Sequence, residues 1–366
     1  VNILFGVPHR THRAIALHEV DGMTARGHST HTFTFGNRGN EGAAQRLLRI
    51  LLTGIEARRL IKARSVDLLY LNSAFDLPAL IRDLITLLLV RGTGVVSCIK
   101  MHGAEIDLLK RKNLVVRALI MLLRRWCDGI GVLSSEEFQP FRAAGFPGQR
   151  SFIQKNIVDQ SEYRVVTGLP ALKDAAPSAM VLLYAGRLMK TKGVLDILEA
   201  AKSLKRQGRE FIVVFMGDGP LMETLRERTL AWGLEHEVRF TGFIPEAETR
   251  GYYAAARMLV FPTYHDEGLP MAVLHSLAAG LAIVTTRIRA AADYLQDENN
   301  CLWVPARDPV ALGRAIGRLI DDPWLMARMS AHNRALATGF ARDVVCNELD
   351  TALSNLVATR TKKNRC

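Results

Sequence analysis

The sequence predicts an α/β protein made of two parallel-sheet units, and three observations carry that prediction. Short apolar runs of strand length alternate with longer segments at helical spacing along the chain. The short runs are nearly continuous in apolar character, as expected when helices cover both faces of a sheet. A stretch rich in alanine, proline and small residues, VTGLPALKDAAPSAM at 166–180, separates two such series. The expected division is a first domain at 1–165, a second at 166–345, and a C-terminal helix and basic tail at 346–366 that could return to the first domain.

In the first half the expected strands are NILFGV, HTFTF, DLLYL, VVSCI, GIGVL and SFIQK. In the second they are VLLYAG, FIVVFMG, VRFTGF, MLVFP and LAIVTT. Helix signals close the chain: DPVALGRAIGRLIDDP stops before Pro323, and a last helix is expected over roughly 343–359 ahead of the tail RTKKNRC.

Composition narrows the function classes. With 49% hydrophobic and 23% charged residues, the 366-residue chain has the balance of a folded domain pair rather than of a disordered segment. Its five cysteines, Cys98, Cys127, Cys301, Cys346 and Cys366, are scattered and include no C-x-x-C pair, so neither a disulfide framework nor a zinc site is expected. The longest apolar runs, LITLLLV and ALIMLL, fall far short of the roughly 20 residues a bilayer span needs. No charged and apolar leader precedes VNILFGV, so the expected location is the cytoplasm, with peripheral contact at the inner face of the cell membrane as an extension. The net charge of +12 is uneven: residues 1–165 carry 23 Lys and Arg against 14 Asp and Glu, so an anionic partner is expected to meet the first half.

Ligands of open α/β sheets sit beyond the carboxyl ends of the strands, so the loops after strands are where chemistry is sought. In LLYAGRLMKTKGV, Arg187 and Lys192 follow a strand and precede a helix starting near Val194. Two cations beside the positive end of a helix suit a diphosphate, although basic surface loops are also common. In FMGDGP, Gly217 and Gly219 permit a tight turn and close approach of a ligand to the backbone. The chain has no G-x-G-x-x-G and no Walker G-x-x-x-x-G-K-[ST]. In HDEGLPMAVLHSLAAG, Glu267 stands just ahead of a helix expected from Met271 to Ala279, with His275 one turn inside. Glu267 can accept hydrogen bonds from hydroxyls, and the helix start can face an anion. His275 can lean back toward the same ligand or simply pair with a neighbour.

Together GRLMKTKG, GDGP, VRFTGFIP and EGLPMAVLHSLAAG followed by IVTT resemble the retaining glycosyltransferases of family 4, which have the two-Rossmann GT-B fold. The looser landmarks RGHSTHTFTF, IKMHGAEID and FIQKNIVD extend the likeness into the first half. The resemblance implies two Rossmann-like domains facing a cleft, with Arg187 and Lys192 holding a nucleotide diphosphate and Glu267 contacting the donor sugar. The Gly268, Leu269, Pro270 and Met271 backbone would lie against sugar and phosphates, and Phe243 and Ile244 near the nucleobase. His102 matches a histidine beside the reacting sugar carbon. At His275 the family usually carries a second glutamate that grips the ribose. A neutral imidazole can keep such a contact, since it accepts at one nitrogen and donates at the other.

The loop FGVPHRTHR departs from the family's glycine pair and offers His9, Arg10, His12 and Arg13, four potential cations that suit a phosphate-bearing acceptor. LLKRKNLVVRALIMLLRRW at 108–126 has six cations and no acidic residue, and could rest on an anionic leaflet or pack on the first sheet. The resulting expectation is a retaining, metal-independent transferase with a UDP- or GDP-linked sugar as donor and no other cofactor. Its acceptor is a glycan or a lipid-linked intermediate of cell-surface polysaccharide or lipopolysaccharide, and nucleic acid is not an expected partner. No D-x-D cluster brings a metal to the diphosphate. The alternatives are a non-catalytic binding or scaffold protein on the same fold, with a weakened donor site, and a phosphorylase or epimerase.

Overall fold

The computed structural model describes residues 1–366 apart from 10–11, 37–40, 147, 164–167, 176–178, 266–267 and 366. The chain divides into two compact units. The first takes in Val1–Ile157, Asp266–Leu269 and Arg342–Cys366; the second, Val158–His265 and Pro270–Ala341. The break after Ile157 falls earlier than the composition of the 166–180 stretch suggests.

The first unit holds strands β1 (Asn2–Pro8), β2 (Ser29–Phe35), β3 (Leu68–Phe75), β4 (Val96–Ala104), β5 (Gly129–Val132) and β6 (Ser151–Ile153). They form one parallel sheet in the order β2-β1-β3-β4-β5-β6. Helices Ala43–Ala63, Leu77–Val90 and Leu114–Trp126 cover one face, contributing Ile61, Leu84 and Ile120 to its core. Helix Arg13–Ala25 and the C-terminal helix Arg342–Arg365 cover the other, through Val20, Leu349 and Leu353. Burial on both faces is why β1, β3, β4 and β5 read as nearly unbroken apolar runs, whereas the edge strand β2 alternates and buries only Phe33 and Phe35.

The second unit holds β7 (Val181–Ala185), β8 (Ile212–Met216), β9 (Val238–Gly242), β10 (Met258–Phe261), β11 (Ala282–Thr285) and β12 (Cys301–Trp303). Their parallel order is β12-β11-β10-β7-β8-β9. The chain therefore builds outward from β7 in both directions, and the crevice between the ends of β7 and β10 is the topological switch point.

The three-residue β12 is too short to carry a periodic signal, and it is the strand the sequence reading lacked. The tail read as an extension beyond the last helix is itself helical through Arg365. The segment 108–126 is two helices, Asp107–Lys110 and Leu114–Trp126, broken where Asn113 caps the second by accepting from Val115 N and Val116 N. Residues Val116, Ile120 and Leu123 of that second helix are buried in the core. No described helix is long and apolar enough to cross a membrane.

Candidate functional site

In the second unit, loops from four strands meet at the carboxyl edge of the sheet and are tied together by backbone hydrogen bonds. Gly186 N donates to Met216 O at 2.9 Å and Gly217 N to Gly242 O at 3.0 Å, joining the ends of β7, β8 and β9. Leu188 N donates to Asp218 O at 2.9 Å. Tyr264 N donates to Thr191 O at 2.8 Å, joining the loop after β7 to the loop after β10 across the switch point.

This stitching gives the glycines a purpose. A Cβ on Gly217, whose φ is +138°, would lie 2.1 Å from Gly186 O, and one on Gly219 would lie 2.4 Å from Leu188 O. The close approach that FMGDGP signals is made by a neighbouring loop of the protein itself. Gly193 is held the same way, with φ +71° and Pro262 O 2.3 Å from where its Cβ would be.

Arg187 and Lys192 ride on this frame. Arg187 is exposed, and its carbonyl accepts from the buried Tyr184 hydroxyl at 2.8 Å. Half-buried Lys192 sets its ammonium 5.6 Å from the centre of the Phe261 ring, over its face. Helix Val194–Arg206 starts directly behind them at Gly193, with no side chain capping it. Helix Met271–Ala279, whose bounds match the expectation, also starts without a side-chain cap, at Pro270. Each helix thus presents N–H groups at its start, the arrangement that favours an anion.

His275 is half-buried on that second helix among aromatic rings, with its centroid 5.9 Å from Tyr163 and 5.2 Å from Tyr253. Its Nδ1 is hydrogen-bonded to the Tyr163 hydroxyl. Burial raises the Tyr163 phenol well above its ordinary range, so it keeps its proton and can donate. In the tautomer that accepts this proton at Nδ1, the ring hydrogen is on Nε2 and can be donated, where a glutamate would only accept. Phe243 and Ile244 line an open hollow of about 1010 Å³ with Arg239, Tyr252 and the ion pair of Arg250 with Glu162 at 2.7 Å.

In the first unit, His102 near the end of β4 bonds through Nε2 to Asn72 Oδ1 of β3 at 2.8 Å. Its ring stacks on His12 with centroids 4.5 Å apart and planes within 5°. Beneath them the fully buried Lys100 ammonium meets the equally buried Glu19 carboxylate at 2.8 Å. Burial, then the Lys100 charge, pushes both imidazoles below their ordinary pKa. His12 retains exposed surface, but its ring lies against protein, and the direction is downward. It is therefore neutral near pH 7. Arg13 turns its guanidinium back to Pro8 O at 3.3 Å, and His9 is exposed. Gly268 and Leu269 cluster with this unit, and a Cβ on Gly268 would lie 2.5 Å from Leu133 Cδ1. Glu267 and Arg10 lie outside the described residues.

Residues 173–336 match the family of glycosyl transferases group 1. Over 150 residues the chain is 30% identical to an alpha-D-kanosaminyltransferase of Streptomyces kanamyceticus, covering 41% of this chain and 39% of that protein. Over 168 residues it is 31% identical to the lipopolysaccharide core biosynthesis glycosyltransferase LpsD of Rhizobium meliloti, covering 46% and 47% respectively. The chain thus spans less than half the length of these curated relatives. Among solved structures, HepE of Anabaena in complex with UDP and glucose has a TM-score of 0.75 at 17% identity, covering 96% of this chain and 99% of that one. Sucrose-phosphate synthase of Thermosynechococcus elongatus has a TM-score of 0.76 at 16% identity, covering 98% and 99%. These likenesses establish the fold as GT-B.

Sequence reasoning passed over Asn72, Glu19, Lys100, Tyr163 and Tyr253. Lys100 carried a usable signal, since a lysine inside the apolar run VVSCIKM demands a buried counter-charge. The partners themselves are distant in sequence and become neighbours only when strands and helices pack.

Proposed function

We propose that the protein is a retaining, metal-independent glycosyltransferase that moves a sugar from a nucleotide-diphosphate donor, UDP- or GDP-linked, to a glycan or lipid-linked acceptor. The observation that carries this reading is the switch point of the second sheet, where Arg187, Lys192 and the uncapped helix starts at Gly193 and Pro270 gather. As the glycosidic bond breaks, negative charge grows on the leaving diphosphate, and fixed cations and N–H dipoles stabilise it. Phe243 and Ile244 would edge the base, His275 would donate through Nε2 to a ribose hydroxyl, and Glu267 would hold donor hydroxyls. His102, neutral and oriented by Asn72, would lie beside the reacting carbon. Similarity to LpsD supports a place in cell-surface polysaccharide or lipopolysaccharide synthesis, and work at the inner face of the membrane is part of the same proposal. His9, Arg10, His12 and Arg13 would meet the acceptor.

The test is thermal stabilisation by UDP, GDP and ADP in wild type, Lys192→Ala and His275→Glu. A nucleotide at a hundred times its Kd should stabilise wild type by about 2.7 kcal/mol. Loss of that shift in Lys192→Ala, followed by sugar transfer from the matching nucleotide-sugar, supports the reading. No shift in wild type with recovery in His275→Glu would replace it with the scaffold reading.

A further inference from the structure

The geometry points to a lipid-binding face on the first unit, with helix Ala43–Ala63 as the element that lies in the interface of an anionic bilayer. The core side of this helix is Ile50, Gly54, Ala57 and Ile61. A second apolar stripe, Leu47, Leu48, Leu51, Leu52 and Ile55, runs about a third of a turn away and faces solvent. Leu48 and Leu52 are 58% and 57% exposed, and no packing need of the domain accounts for leucines there.

The stripe does not stand alone. Gly54 lets the neighbouring helix Leu77–Val90 come close, since a Cβ there would lie 2.5 Å from Leu89 Cδ1. That helix adds exposed Ile81 and Leu88, and helix Leu114–Trp126 adds Leu114, Val115 and Met121. These three helices pack on the same face of the sheet, so their outer sides share one surface. They carry ten of the seventeen large apolar side chains exposed among the described residues.

Charge selects the occupant. The stripe continues toward the helix C-terminus as exposed Arg59 and Lys62, and Glu56 is the only acidic residue of the helix. Exposed Lys112, Arg117, Arg124 and Arg125 flank the apolar residues of helix Leu114–Trp126. A second copy docked face to face would set these cations against each other, whereas an anionic leaflet receives both the leucines and the charges. The sequence offered 108–126 either for lipid contact or for packing on the sheet; the inner side of that segment is core, and the larger free apolar face belongs to Ala43–Ala63.

This inference deepens the lipid-linked acceptor reading, and its test reads binding without sugar transfer, so either can fail alone. The whole chain is floated with vesicles of phosphatidylcholine, alone or with about one third phosphatidylglycerol. Wild type should float with the anionic vesicles and less so as salt rises. Leu48→Gln/Leu52→Gln should weaken partitioning about tenfold or more with an unchanged melting temperature, because both side chains are exposed. Arg59→Gln/Lys62→Gln should lose the preference for phosphatidylglycerol. Leu114→Gln/Val115→Gln should weaken binding less than the Leu48 and Leu52 pair. Wild type that stays unbound, or a Leu48→Gln/Leu52→Gln variant that floats like wild type, overturns the proposal. So does a dimer in sedimentation that this variant dissolves while vesicle binding is unchanged.

Discussion

Gly217→Ala separates two reasons for a glycine after β8: room for a ligand, or room for another loop. At φ +138° an L-residue with a side chain pays a backbone strain of about 1–3 kcal/mol. Its Cβ would also sit 2.1 Å from Gly186 O, so one loop must move, at an overpacking cost of about 1–3 kcal/mol. The expected loss is about 3 kcal/mol or more. For a unit of roughly 180 residues the unfolding entropy is about 0.4 kcal/mol per K, so the melting temperature of the second unit should fall by about 8 °C. Gly208→Ala is the control within the same unit, because its φ is +72° and nothing lies within 4 Å of its Cβ position. It should cost only the left-handed conformation, about 1–2 kcal/mol. Calorimetry without nucleotide reads the difference between the two variants. Equal melting shifts for both would refute the loop-packing argument, and an unshifted Gly217→Ala protein that no longer responds to nucleotide would establish the ligand explanation instead.

Two further outcomes are expected in the first unit. Glu19→Leu strands the buried Lys100 ammonium and should destabilise by about 3–5 kcal/mol, while Glu19→Leu/Lys100→Met should recover most of that loss; chemical denaturation of both variants checks it, and a double variant no better than the single one refutes it. His12 and His102 have folded pKa values below the ordinary 6.5, His12 down to about 4, so over that interval the unfolded chain binds more protons than the folded one. The stabilisation is therefore present above pH 6.5 and is lost as pH falls toward 4, and His12→Phe/His102→Phe should melt with a flatter pH dependence; parallel profiles would refute the assignment.

Much of the architecture was legible along the chain. The inner strands, such as NILFGV, DLLYL, FIVVFMG and LAIVTT, announce themselves because burial on two faces of a sheet imposes nearly unbroken apolar runs that local sequence records. Arg187 and Lys192 were legible for a related reason, since the loop after a parallel strand is fixed by the strand before it and the helix behind it. Residue type and order along the chain thus determined the fold class and the second unit's switch-point loop.

Tertiary structure alone decided what each group meets. His12 reads as a potential cation in FGVPHRTHR, and burial, then the Lys100 charge, pushes its pKa down to about 4. The glycines of FMGDGP read as a tight turn with room for a ligand, and only the folded chain shows that a Cβ on either would also meet Gly186 or Leu188. Tyr163 is 112 positions from His275, yet its hydroxyl is the group that Nδ1 of the imidazole bonds. The leucines of Ala43–Ala63 show helical spacing in the sequence, but periodicity is blind to direction, and only packing reveals which stripe the sheet covers and which it leaves to solvent. Local sequence encodes periodicity and propensity, whereas pKa, tautomer and exposure depend on atoms brought together from distant positions, which folding alone supplies.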